Sequence, residues 1–155
     1  MITAGDILKD KTTEIVCVSP DQPVAEAIRI MLAKKIGAIL VRENEGIVGI
    51  WTERDLLKGF ANPEFDPQSV PVGEVMTRRL HTVDETTPLI QLEEMFLGLF
   101  IRHLPVEKGG EIIGMLSIGD VIRCSLLEKD RKIKELNSMA SWQYYDNWGW
   151  TGKKR

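Results

Sequence analysis

Along the chain the apolar positions change period in a fixed order, and that order occurs twice. Ile15 to Val18 is a short β-branched run of strand character. Pro23 then opens a segment in which Val24, Ala27, Ile28, Met31 and Leu32 recur at helical spacing. A proline is tolerated there because a first-turn N–H has no intrahelical partner in any case. Gly37 marks the expected end of that helix. Ala38 to Val41 and Ile47 to Trp51 are apolar runs of strand length joined by the polar Glu43-Asn44-Glu45-Gly46, a hairpin turn, and a second helix starts near Thr52. The series returns downstream: a strand at Thr82-Val83, a helix from Pro88, a strand from His103 to Val106, a turn through Gly109-Gly110, a strand from Ile112 to Leu116 and a helix from Ser117.

The two series superpose without a gap at a displacement of 65 positions, the separation of Asp55 and Asp120. Val18 falls on Val83, Pro23 on Pro88, Leu32 on Leu97, Val41 on Val106, Gly49 on Gly114, and Thr52 on Ser117. Upstream the pairing resumes at a slightly different offset, GDIL from Gly5 against GEVM from Gly73, so the first copy carries a small loop insertion. Each copy reads β-α-β-β-α. At about 50 to 60 residues, one copy is too small to bury much surface alone, and the two are expected to pack face to face around one core. The expected division is a first repeat at 1–61, a proline-rich linker at 62–71, a second repeat at 72–128, and a C-terminal helix with an aromatic tail at 129–155.

Composition narrows the function. With 43% hydrophobic and 28% charged residues the chain is globular, and a net charge of -3 argues against a surface built for nucleic-acid phosphates. The first residues lack the basic-then-apolar layout of a secretion signal and no run is long enough to span a membrane, so a cytoplasmic location without membrane contact is expected. Cys17 and Cys124 form no CxxC pair and read as reduced thiols. Two histidines, no phosphate-cradling lysine motif, no nucleophile turn and no metal-ligand spacing leave no catalytic or metal-binding residue to name, and an enzyme is not expected.

Both copies carry glycine, two apolar residues, a hydroxyl, two variable residues and aspartate: GIWTERD from Gly49 to Asp55 and GMLSIGD from Gly114 to Asp120. A hydroxyl followed three residues later by an acid is also a capping box, which satisfies the unpaired N–H groups of a helix start and needs no ligand. The duplicated motif, its retained glycine, the hairpin before each copy and the segment IRHLPV from Ile101 to Val106 resemble the CBS-domain family, in the form of a tandem pair (Bateman module), from Ile2 to about Leu127. The resemblance implies an α+β fold in which two repeats pack with pseudo-two-fold symmetry around a cleft for adenosine-containing ligands. AMP, ADP, ATP and NAD are the candidates.

On that reading Asp55 and Asp120 accept ribose hydroxyls, Thr52 and Ser117 stand at helix starts that favour phosphate, and Gly49 and Gly114 let the backbone approach the ligand. The resemblance further implies that adenine packs between the residue after each glycine and the opposite repeat. Around Asp120 this joins Met115 to Ile36, Gly37, Ala38 and Val16. Around Asp55 it joins Ile50 to Ile101, Arg102, His103 and His81. Arg102 and His103 are expected to meet phosphates and, with Ser117, to make the Asp120 site the better formed one. Arg54 reads equally as a solvated first-turn residue or as charge for the Asp55 site, and His81 as a strand-end surface residue or a ligand contact.

The helix from Ser117 is expected to run on into EKDRKIKELNSM. The aromatic run at 142–150 then either folds back on its own domain or a dimer mate, or binds a partner. Two functional classes follow. One is a sensor of an adenine nucleotide, acting on a separate regulated protein or through a homodimer. The other is a nucleotide-free dimerisation or interaction module using Met31, Met95, Phe96 and Phe100.

Overall fold

The computed structural model describes residues 1–11 and 14–147, with side chains through residue 140. Two three-stranded sheets form, β1 (Cys17–Val18), β2 (Ala38–Glu43) and β3 (Gly46–Thr52) in the first, and β4 (Val83–Asp84), β5 (His103–Lys108) and β6 (Glu111–Ser117) in the second. In each, the short first strand pairs parallel with the central strand, which is the first arm of an antiparallel hairpin. Even the local irregularity repeats: the register shifts between Val41 and Arg42 and again between Val106 and Glu107. Helices α2 (Val24–Lys34) and α3 (Glu53–Phe60) accompany the first sheet, and α5 (Leu89–Leu99) and α6 (Ile118–Asn147) the second.

Two further short helices, α1 (Ala4–Asp10) and α4 (Val72–Val75), contain the aligned GDIL and GEVM segments. They are exchanged between the repeats. Helix α1 buries Ala4 and Ile7 in the core of the second unit, among Val83, Leu92, Phe96, Leu104, Val106, Leu116 and Val121. It is tied there by backbone hydrogen bonds from Ala4 N–H to the Thr87 carbonyl and from Gly5 N–H to the Glu85 carbonyl, both 2.8 Å. Conversely, α4 buries Val72 with Val18, Val24, Ala27, Met31, Ile39, Val41 and Trp51, and its Val72 and Gly73 N–H groups donate to the Gln22 and Pro20 carbonyls. Order along the chain and membership of a packed unit therefore differ for both short helices.

The expected single shared core is three clusters. Each unit has its own core between sheet and helices, and a smaller third one joins the sheets, where Ala38, Leu40 and Ile50 meet Leu80, Ile112 and Met115. Strand alternation explains the split: Ile39 and Val41 point to the helices, while Ala38 and Leu40 point to the other sheet, so β2 is buried on both faces.

Several expectations are corrected. Helix α2 ends at Lys34, with Lys35 in the left-handed conformation (φ 55°), and Gly37 lies beyond it. Leu32, grouped by its spacing with the inward residues, is 74% exposed, as is its counterpart Leu97. Of the residues named for an interaction face, Met31 and Phe96 are buried and Met95 packs against the second core, whereas Phe100 is exposed. Helix α6 runs through residue 147, stabilised on its surface by pairs such as Lys134–Asp130 (2.6 Å). The aromatic run at 142–150 lies outside the described side chains, and residues 148–155 lie outside the described residues. Among the described residues no helix is long and apolar enough to cross a membrane.

Truncating Ile7 removes a buried anchor that the second unit cannot replace from its own sequence. Ile7→Ala is expected to cost about 2–5 kcal/mol in urea unfolding. Hydrogen exchange should accelerate in β5 and β6 more than in β2 and β3.

Candidate ligand-binding cleft

Two cavities open where the repeats meet, one at each aspartate. The first, of about 650 Å³, is lined by Val16, Ile36, Gly37, Ala38, His103, Met115, Ser117 and Asp120, together with Lys11, Glu14, Lys34 and Lys35. The second, of about 350 Å³, is lined by Ile50, Thr52, Arg54, Asp55, His81, Ile101, Arg102 and His103, with Lys58, Thr77 and Arg79. His103 borders both. The structure thus gathers the residues assigned to each site, with one exception. Arg102, expected at both sites, lines only the Asp55 cavity, where its guanidinium stands 3.5 Å from Glu53. Its backbone explains the placement, because the Arg102 carbonyl accepts the Ile118 N–H at the start of α6 and the side chain leaves on the other side.

The duplicated motif forms true capping boxes. Asp55 Oδ2 accepts the Thr52 N–H at 2.9 Å, and the Asp55 N–H donates to Thr52 Oγ1 at 3.4 Å. Asp120 Oδ2 accepts the Ser117 N–H at 2.7 Å, and the Asp120 N–H donates to Ser117 Oγ at 3.2 Å. Local capping and cleft geometry coexist, since the carboxylate that caps the helix also borders the cavity. The motif glycines serve a different purpose from the expected ligand approach. A Cβ on Gly114 would stand 2.8 Å from Cδ2 of Leu8 in α1, and one on Gly49 would stand 3.0 Å from the Thr77 carbonyl oxygen and meet the Met76 side chain. Their missing side chains admit the exchanged segments.

The two carboxylates are not equivalent. Asp55 is 7% exposed, and its second oxygen is taken by the Thr77 hydroxyl at 3.1 Å. Around it stand four cations, Arg54, Lys58, Arg79 and Arg102. Arg54 also donates to the Phe100 carbonyl at 2.9 Å, so it bridges the repeats rather than standing free in solvent. Asp120 keeps 26% of its side chain exposed, and both its described bonds fall on Oδ2, from Ser117 and from the Lys11 ammonium at 2.7 Å. Burial pushes the Asp120 carboxyl up, but the Lys11 and Ser117 hydrogen bonds outweigh it and hold the group below the usual carboxylate range.

Lys11, Thr77 and Arg79 escape a reading of the strand–helix motif. The available signal was the GDIL/GEVM alignment, in which Lys11 and Arg79 are both third after the segment ends. Among the described residues no cluster of His, Cys, Asp and Glu could hold a metal ion.

His103 is the titratable hinge of the cleft. Burial, and then the neighbouring Arg102 and Lys11, push its imidazole below the ordinary value, against the opposing pull of Glu53 and Asp120. The unfolded chain therefore takes up this proton first as pH falls. Stability from His103 is present above about pH 6.5 and is lost as pH drops below it toward the folded-state value. Unfolding titrations between pH 7.5 and 5.5 should show a decline that His103→Gln reduces.

Comparison with known proteins agrees with this architecture. The family model described as CBS domain matches residues 4–62 and 72–126. The mitochondrial CBS domain-containing protein CBSX3 of Arabidopsis thaliana is 31% identical over 151 residues, covering 92% of this chain and 73% of its own. A CBS-domain containing protein from Agrobacterium tumefaciens superposes with a TM-score of 0.76 at 34% identity, over 80% of this chain and 99% of its own. A CBS domain protein from Pyrobaculum aerophilum, solved in complex with AMP, superposes at 0.70 with 27% identity, over 82% and 97% of the two chains. With both repeats matched and the cleft formed between them, this chain belongs to the CBS-domain family, as a tandem-pair regulatory module.

Proposed function

We propose that the module senses an adenine nucleotide, AMP, ADP, ATP or NAD, in the Asp120 cavity, and that occupancy is read by a separate protein or a second copy of the chain. The Asp120 carboxylate carries the reading. It is half-buried, ionised, and has one oxygen without a described protein bond, which suits the paired hydroxyls of a ribose. Met115 and the Ile36-Gly37-Ala38 segment supply apolar walls for a purine, and Lys34 and Lys35 supply charge for phosphate. A volume near 650 Å³ lies within the roughly 300–1,000 Å³ of small-molecule sites. The AMP bound by the Pyrobaculum relative supports the same ligand class.

The Asp55 cavity is the lesser ribose site on this reading. Thr77 closes its carboxylate, and its four cations favour phosphate instead. The module binds its ligand without turning it over, and signalling requires that the ligand prefer one of two packings of the repeats or of the chains. A homodimer is part of the proposal. Leu32 and Leu97, and likewise Leu57 and Ile122, are pairs related by the repeat displacement and exposed by 74%, 74%, 73% and 52%. Such a symmetric apolar set on helices suits a self-complementary contact.

AMP at about 100 times its dissociation constant is expected to stabilise the protein by roughly 2.7 kcal/mol, a rise of about 5–10 °C in Tm. Asp120→Ala should abolish the rise and Asp55→Ala should leave most of it. An unchanged melt with every adenine nucleotide would favour the nucleotide-free interaction module. In sedimentation, the double variant Leu32→Glu with Leu97→Glu should run as a monomer where the parent runs as a dimer.

A further inference from the structure

We propose that Lys11 is a selectivity latch on the Asp120 cavity, which makes that cavity accept anionic ligands and discriminate against neutral ones of the same shape. The inference rests on the adenine-nucleotide reading of the site and adds a residue and a rule to it. The Lys11 ammonium donates to Asp120 Oδ2 at 2.7 Å and to the Met115 backbone carbonyl at 3.0 Å. Both acceptors belong to the walls that a nucleoside would occupy, one for its ribose and one beside its base. Lys11 and Asp120 are each 26% exposed, so the pair is shielded enough for its attraction to count.

A ribose whose paired hydroxyls span both Asp120 oxygens, the free Oδ1 and the Oδ2 that Lys11 holds, must share or displace that ammonium. A neutral nucleoside offers Lys11 nothing in return, and the half-buried cation is left without its partner. A phosphorylated one brings an anion into the same cavity, where Lys11 exchanges a carboxylate for a phosphate and joins Lys34 and Lys35. Glu14 lines the same cavity and opposes an anion there, so the three lysines have to outweigh it. The Asp55 cavity is built differently among the described residues: its carboxylate accepts from the uncharged Thr77 hydroxyl, its one ion pair is a 4.0 Å contact with the exposed Lys58, and Arg79, in the alignment position of Lys11, has no described bond to it.

The test is calorimetric titration of the full chain with AMP and with adenosine, in the parent, Lys11→Met and Lys11→Arg. A charge-assisted hydrogen bond is worth roughly tenfold or more in affinity. In Lys11→Met adenosine should therefore bind more tightly, AMP no more tightly, and the AMP-to-adenosine preference should fall by about tenfold. Lys11→Arg should keep the preference. If AMP binds the parent through Asp120 but Lys11→Met leaves the preference unchanged, or weakens both ligands equally, the latch is wrong and the site assignment survives. If AMP does not bind the parent, or binds Asp120→Ala undiminished, the assignment itself fails and the latch falls with it.

Discussion

The close approach of the exchanged helices to the motif glycines is the constraint on which the rest of the molecule depends. Gly114 admits Leu8 and Gly49 admits Met76, and no side chain fits at either place without moving its neighbour. Through those contacts α1 completes the core of the second unit and α4 that of the first. The segments that follow them, carrying Lys11 in one case and Thr77 and Arg79 in the other, are thereby delivered to the cavities. Packing and site chemistry therefore have a common origin in two hydrogen atoms where other residues have a Cβ.

The asymmetry of the two cavities follows from what each exchanged segment brings. Thr77 N–H and carbonyl both pair with Ile50, which fixes its hydroxyl on Asp55. Lys11 lies at the end of α1 and reaches Asp120 with a flexible four-carbon stem, so that carboxylate is held by a group that can leave. Strand β5 adds a second difference. Leu40 donates its N–H to the Val16 carbonyl at 3.2 Å, whereas Pro105, its counterpart, has no N–H to give. The chain at His81 is correspondingly freer of the ladder than the chain at Val16.

Much of this was legible in the amino-acid sequence because the repeat is carried by two different periods in a fixed order. The change from alternation to helical spacing identifies sheet and helix in both copies, and the hydroxyl–aspartate spacing identifies both helix starts. The exchange was not legible, because a four-residue segment such as GDIL is too short to have a period and its partner is remote in sequence. The cleft was misread on that account and on one other. Lys11 comes to Asp120 only because α1 crosses to the other repeat, and Arg102 leaves Asp120 because its carbonyl, not its side chain, is what caps α6. Leu32 was misplaced for a different reason: spacing groups it with the inward residues of α2, but an apolar residue on the outer edge of the stripe looks the same in sequence whether it meets the core or a neighbour.

The exchange also bears on how the chain is made. Ala4 and Ile7 are synthesised ahead of the other buried members of their cluster, the last of which is Val121. A ribosome must therefore add the whole first unit and most of the second before the core around α1 is complete, while the first unit can close as soon as Val72 emerges. Loop closure over so long a span is slow, and an apolar segment left waiting is exposed to wrong partners, including the α1 of a neighbouring nascent chain. Two repeats that look like interchangeable beads in sequence are, during biosynthesis, a single clasp whose earlier segment fastens last.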